Sequence, residues 1–293
     1  MGFEQCHPAV IFIYFAAVIT GMVAFQNPIF LAIGFLCAVA YSVKRGGRRA
    51  AIFDLALLPL VAAFALYYSS YNHFGMTVLK KNMIDNAMTL ESLVYGLVLG
   101  ITAAGVCVWF SCVHSVVTGD QVVYLLGRAS PRLSLFLAIA LRMVPRIKKQ
   151  MKKIEIAQRG IGRGAGQGGL VRRLRNGIRI LSMLITWMIE AMTTASVSMR
   201  SRGSGLRGRC AFSIYRFDNR DRAYVVAMFA CLTLTLMGVI LGQTDAVYDP
   251  RILLPTPTPI SYLFFGGYAM LCLMPLLLEL WADHRFRSAR RRL

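Results

Sequence analysis

Six stretches of this 293-residue chain are apolar for long enough to cross, or nearly cross, a lipid bilayer: roughly 9–25, 28–43, 51–70, 92–117, 223–242 and 259–282. A bilayer core of about 30 Å takes about 20 helical residues. Hydrophobic residues make up 57% of the chain, a composition of membrane proteins rather than soluble domains. The first two stretches are short and separated only by Gln26-Asn27, which leaves open a tight hairpin or one broken helix. The N-terminus has Glu4, no basic leader and no clear cleavage site before Asn27-Pro28, so the first span is expected to stay in the mature protein.

Lys and Arg in short loops orient the spans. Lys44, Arg45, Arg48 and Arg49 place the second loop in the cytoplasm, and Arg285, Arg287, Arg290, Arg291 and Arg292 place the C-terminus there. Loop 71–91 has only Lys80 and Lys81 against Asp85 and Glu91, and loop 243–258 only Arg251 against Asp245 and Asp249; both read as external. Six spans with both termini inside satisfy every loop. The expected organisation is an all-α membrane protein with N-terminal spans in 1–120, a cytoplasmic segment in 121–222 and C-terminal spans with a basic tail in 223–293.

Nearly all of the net charge of +20 sits in one block. Residues 128–222 hold 21 Lys and Arg against Glu155, Glu190, Asp218 and Asp221, a net of +17. Much of this fits a loop touching anionic lipid, at about 1 kcal/mol per basic residue near the surface. Two Arg-Gly segments ask for more: Gln158-Arg159-Gly160-Ile161-Gly162-Arg163-Gly164 and Ser198-Met199-Arg200-Ser201-Arg202-Gly203. Pro145 should kink or restart a helix, and Ile147, Met151, Ile154 and Ala157 recur at helical spacing among lysines, predicting an amphipathic helix over 146–157. A second helix is predicted over 178–199, from Leu181, Leu184, Ile185, Met188, Ala191 and Ala195. It is not a span, because Glu190 interrupts it and crossing would carry Arg200, Arg202, Arg207 and Arg209 outside. Gly203 suits the left-handed cap that ends it, placing Arg202 at a tip. A guanidinium is always charged and forks onto carboxylates. Two arginine-tipped helices between membrane spans suggest a permease docked to a separate motor.

Catalytic chemistry has little support. No Lys follows a Gly anywhere, so no P-loop exists. Gly164 to Gly169 spells G-x-G-x-x-G, but that motif should follow a strand and open a helix in a β-α-β unit; here it ends a basic helix. His7, His73, His114 and His284 are scattered, with no metal-ligand spacing. The seven cysteines, mostly within apolar runs and never as Cys-x-x-Cys, read as small buried hydrophobes. No cofactor or metal is expected. Asp54 and Glu279 are the acids within spans, and an intramembrane acid can mark an ion path.

Taken in order, a set of short segments resembles the T component of energy-coupling factor (ECF) transporters, the family that includes cobalt-transport permeases. They are His7-Pro8-Ala9-Val10, Asn27-Pro28, Asn72-His73-Phe74-Gly75-Met76-Thr77, Thr89-Leu90-Glu91-Ser92, Leu141-Arg142-Met143-Val144-Pro145, the two Arg-Gly segments, Thr186-Trp187, Gly208-Arg209-Cys210-Ala211-Phe212-Ser213 and Arg216-Phe217-Asp218. The resemblance implies a membrane scaffold of about six helices, with two long coupling helices inserted between the fourth and fifth spans. These join two cytosolic ABC-type ATPases to a membrane-embedded substrate-binding S component. It also implies that each coupling helix ends in an X-Arg-X motif whose arginine seats in one ATPase. The second motif is Ser201-Arg202-Gly203. The first is either Gly162-Arg163-Gly164, favoured here, or Gln158-Arg159-Gly160. The helices 146–162 and 178–202 are expected to pack together and to touch the S component through apolar faces, and the glycines around Arg163 to leave that helix end loose. The implied protein is not an enzyme, and the S component chooses the substrate.

Two rivals stand beside it. A stand-alone ion-coupled secondary transporter predicts discontinuous helices and polar groups at the midplane. A membrane-anchored nucleic-acid binder predicts a solvent-facing arginine stripe with aromatic platforms. Neither pattern occurs, and no nucleic-acid partner is expected.

Overall fold

The computed structural model describes residues 3–72, 74–81, 87–204, 206, 215, 217–256 and 258–290. His73, Asp85, Arg207, the 208–213 segment with Arg209 and Cys210, Arg216, Arg291 and Arg292 lie outside the described residues. Eight helices follow a 3-10 turn at Phe3–Gln5: α1 (Pro8–Ala24), α2 (Pro28–Tyr71), α3 (Leu90–Val116), α4 (Gly119–Ala129), α5 (Pro131–Gly160), α6 (Leu170–Ser201), α7 (Asn219–Ile240) and α8 (Pro259–Arg290). A short antiparallel hairpin pairs β1 (Val78–Lys81) with β2 (Ala87–Thr89). The chain forms two compact units, Met1–Thr118 with Tyr215–Leu293, and Gly119–Ile214.

The protein is helical throughout the apolar runs. Five described helices are long and apolar enough to cross a membrane: α2, α3, α6, α7 and α8; α1 is apolar but shorter. The 9–43 region is two helices. Asn27 accounts for the break: its side-chain oxygen accepts from Ile29 N–H at 3.0 Å to cap α2, and Pro28 takes the first helical position, where its missing N–H costs nothing. Helix α2 is itself broken at Gly47, whose φ of 59° and ψ of −143° are not helical. Only glycine adopts that backbone without strain. The two arms, 28–46 and 48–71, match the second and third apolar runs, at about 28 and 36 Å of helix.

The core of the first unit is aromatic. Tyr14, Tyr41, Trp109 and Tyr268 are fully buried, and Phe3 packs edge-on against Tyr14 and Phe15. Such edge contacts add about 0.5–1.5 kcal/mol each beyond the area they bury. Tyr14 Oη donates to the Cys272 carbonyl at 3.1 Å, joining α1 to α8. The described cysteines are free, most of them buried, in keeping with a packing role. Burial pushes the Cys6 thiol up to about 11, so it stays protonated at neutral pH.

Helix starts account for most of the short motifs. His7 caps α1, Thr89 caps α3, and Asp218 caps α7 in a reciprocal box with Asp221. The 72–77 and 89–92 segments meet. Thr77 Oγ1 donates to Glu91, Thr89 Oγ1 to the Phe74 carbonyl and Ser92 Oγ to the Asn72 carbonyl. Gly75, at φ 110°, lies so close to Glu91 that an added Cβ would overlap it at 2.5 Å.

The two acids within the spans differ. Glu279 accepts from Tyr41 Oη at 3.1 Å and Arg45 Nη1 at 3.4 Å, and Arg45 also pairs with Glu4 and donates to the Ser115 carbonyl. Asp54 is 4% exposed, with Ser42 as the neighbouring hydroxyl and neither carboxylate oxygen in full hydrogen-bond geometry with a donor.

Candidate functional site

The Gly119–Ile214 unit is built on α5 and α6. Helix α4 packs on the start of α5, where Ser134 Oγ donates to the Val123 carbonyl at 2.9 Å. Helix α5 runs through Pro145 as one element, so the helix does not restart there. Helix α6 begins at Leu170, eight residues before the predicted start. A helix, not a strand, precedes the glycine-rich stretch, which removes the context a dinucleotide motif needs.

The two helices pack antiparallel. Gln158 Nε2 of α5 contacts Met183 Sδ of α6 at 3.6 Å, and Met143 and Arg146 face Ala195 and Met199 across a groove. One stripe of α6 turns toward α5: Asn176, Ile180 and Leu184 are buried, and Trp187, Ala191, Ala195 and Met199 are half-buried. A second apolar stripe is left uncovered among the described residues, with Leu174, Ile178, Leu181, Ile185, Ile189 and Met192 each 44–67% exposed. Spacings of three and four put all six on one face.

Both helices end in the same cap. At the end of α5, Gly162 adopts φ 74°; its N–H donates to the Arg159 carbonyl, and Arg163 N–H to the Gln158 carbonyl at 2.9 Å. At the end of α6, Gly203 adopts φ 76°; its N–H donates to the Arg200 carbonyl, and Ser204 N–H to the Met199 carbonyl at 3.1 Å. Each is a Schellman motif with glycine in the left-handed position. Matched residue for residue, Arg159 occupies the place of Arg200, Ile161 that of Arg202, and Arg163 that of Ser204. Arg202 therefore sits one residue before its αL glycine and Arg163 one residue after its own. Arg159 pairs with Glu155 at 2.9 Å along the helix surface, a contact worth about 0.3–0.5 kcal/mol when exposed. Arg163 and Arg202 are exposed, and neither has an ion-pair partner among the described residues.

Three hydrogen bonds converge on Gly164 at the first tip. Asn176, 4% exposed, donates from Nδ2 to the Gly164 carbonyl at 3.1 Å. Gly164 N–H donates to Gln167 Oε1 at 3.0 Å, and Gln167 N–H returns to the Gly164 carbonyl. Gly164 is thereby buried while Arg163 beside it stays exposed. Neither Asn176 nor Gln167 was singled out by sequence. The available signal was an asparagine at the head of the 176–180–184 stripe, where an apolar residue belongs. Because Gly164 is held at Asn176, the two tips lie at opposite ends of α6. At a rise of about 1.5 Å per residue, roughly 40 Å separates them.

These features define a multi-pass α-helical membrane protein carrying an antiparallel helix pair with an exposed arginine at each end. No family model matches the chain. It is similar to the energy-coupling factor transporter transmembrane protein EcfT of Lactococcus lactis subsp. cremoris, 29% identical over 106 residues, which is 36% of this chain and 40% of that one. The EcfT proteins of Lacticaseibacillus paracasei (32% over 109 residues, 36% and 40%) and Lactobacillus helveticus (33% over 90 residues, 30% and 32%) are similar as well. The match spans about 40% or less of these curated relatives' length. The resemblance to the ECF transporter T component thus rests on three curated proteins as well as on the short motifs.

Proposed function

We propose that this chain is the transmembrane scaffold of an ECF-type importer, transmitting ATP hydrolysis by two cytosolic ABC-type ATPases to a membrane-embedded S component that binds the substrate. The observation that carries the reading is the pair of arginine-bearing Schellman caps at the two ends of one helix pair: two tips, capped alike though with their arginines on opposite sides of the glycine, suit two motor subunits. Arg202 seats in one ATPase. Arg163 seats in the other, with Arg159 as the alternative, and Gly162, Gly164, Ser201 and Gly203 shape the tips. The uncovered stripe of α6 from Leu174 to Met192 offers the S component an apolar face. Six spans result when both arms of α2 cross and α6 does not, with the Gly119–Ile214 unit and both termini in the cytoplasm. The chain transmits energy and catalyses nothing itself.

Affinity purification in mild detergent, wild type beside Arg163→Ala/Arg202→Ala, tests this. Two ABC ATPases and a small membrane protein should accompany the wild type, and the ATPases should drop out of the double variant. Arg202→Ala alone should weaken association by roughly 2 kcal/mol, as at an interface hot spot, or about thirtyfold. Lys152→Ala on α5 should change nothing. Normal uptake by the double variant would sink the mechanism. Asp54, buried without a full partner, is the one observation favouring a stand-alone ion-coupled transporter; that reading requires uptake in vesicles without ATPases.

A further inference from the structure

The docking scheme leaves Arg142 and Arg146 without a role. One turn apart on α5, they share a face and, with Arg202 of α6, line a groove of about 660 Å³ between the helices. Its lining is mostly apolar, with Ile139, Met143, Trp187, Ala191, Ala195 and Met199, and includes the hydroxyls of Thr194 and Ser198. Glu190 is the acid on the wall, and among the described residues no guanidinium lies within ion-pair distance of it. Three arginines against one glutamate leave the groove with an excess of positive charge beside its apolar lining.

We propose that this groove binds an anionic phospholipid, its phosphate between Arg142 and Arg146 and an acyl chain along Met143, Ala191 and Ala195. The chemistry selects that occupant. A phosphodiester accepts paired hydrogen bonds from two guanidiniums, and the trough needs an apolar tail that a free anion lacks. An acidic protein segment would answer the charge but leave the trough unfilled. Trp187 adds a ring of the amphipathic kind that favours headgroup depth. Lipid is an available occupant because the same chain carries helices long and apolar enough to cross a bilayer.

The test uses the full-length protein in detergent, titrated with phosphatidylglycerol or phosphatidylcholine of the same chain length and read by native mass spectrometry. Wild type should retain phosphatidylglycerol at least tenfold more strongly. Arg142→Gln/Arg146→Gln should drop to the phosphatidylcholine level, while Lys152→Gln/Lys153→Gln on the same helix should not. Glycerol phosphate, the headgroup without tails, should fail to compete; effective competition would make this a free-anion site. If the glutamine variant does not fold, Arg142→Lys/Arg146→Lys keeps the charges, loses the fork and should fall in between. Equal retention of the two lipids by wild type, or a preserved preference in the double variant, overturns the proposal. If Arg142→Gln/Arg146→Gln keeps the lipid preference yet loses the ATPases in the affinity purification above, the groove is a protein-docking surface instead. Lipid retention is measured on the chain alone, so failure of the ATPase scheme leaves this result standing.

Discussion

At the residue scale, the informative positions are buried polar groups, and their partners decide what each does. Asn176 holds the Gly164 carbonyl, and such a bond is worth about 1 kcal/mol net. Asn176→Ala should therefore raise deuterium uptake across 160–169 about fivefold while leaving the rest of α6 unchanged; identical uptake in both proteins would mean that the loop is held by Gln167 alone. The acids of the spans give an opposed pair of expectations. Glu279 is bonded to Tyr41 and Arg45, so Glu279→Gln strands part of Arg45 and should cost roughly 1–3 kcal/mol. Asp54 has only the Ser42 hydroxyl beside it and no cation among the described ion pairs, and a buried carboxylate so weakly supported is costly. Asp54→Asn should leave thermal stability unchanged or raise it, and should leave ATP-driven uptake intact. Abolished uptake in that variant, with ATPases still bound, would turn attention to the ion-coupled alternative.

At the element scale, the end of α6 was legible and the packing was not: Gly203 reads as a left-handed cap from local chemistry alone. Asn27-Pro28, Thr89 and Asp218 entered the sequence reading only as family motifs; in the structure each supplies the acceptor that a helix start needs for its free N–H groups. The break between α1 and α2 was left open because its outcome depends on contacts far along the chain: Asn27 N–H donates to the Thr244 carbonyl and its side chain to the Gln243 carbonyl at 3.0 Å. The strap at Asn176 was invisible for that reason too; α4 was not, because Gly119–Ala129 is strongly amphipathic over its 11 residues and was simply not read as a helix. Gly162 and Gly203 carry a direct test of the tips. A Cβ at Gly162 meets nothing within 4 Å, so Gly162→Ala imposes only the left-handed backbone cost, roughly 1–2 kcal/mol. It should fray the end of α5 and reduce ATPase retention with every arginine still present. Gly162→Asn, which tolerates that backbone, should recover most of the loss; equal behaviour of Ala and Asn would show that the cap geometry does not govern docking.

For the whole molecule, everything turns on whether α6 crosses the membrane. By length and composition it qualifies, yet it is the least apolar of the five candidates by mean hydropathy. Its window holds Glu190, and a charge at the centre of a spanning helix costs about 2.5–3.5 kcal/mol. Its first turns hold Arg172, Arg173, Arg175 and Arg179, and its end holds Arg200 and Arg202, so neither flank crosses cheaply. If α6 lies on one side, both tips share a compartment and two cytosolic ATPases can reach them across about 40 Å of helix. If α6 spans, Arg202 faces the opposite side from Arg159 and Arg163, and no soluble motor reaches both. Single cysteines at Ala165 and Ser204, in an otherwise cysteine-free chain, separate these arrangements with a membrane-impermeant maleimide. In right-side-out vesicles both should be protected, and in inverted vesicles both should label. Opposite labelling of the two would make α6 a span and end the scaffold mechanism, whatever the identity to the EcfT proteins.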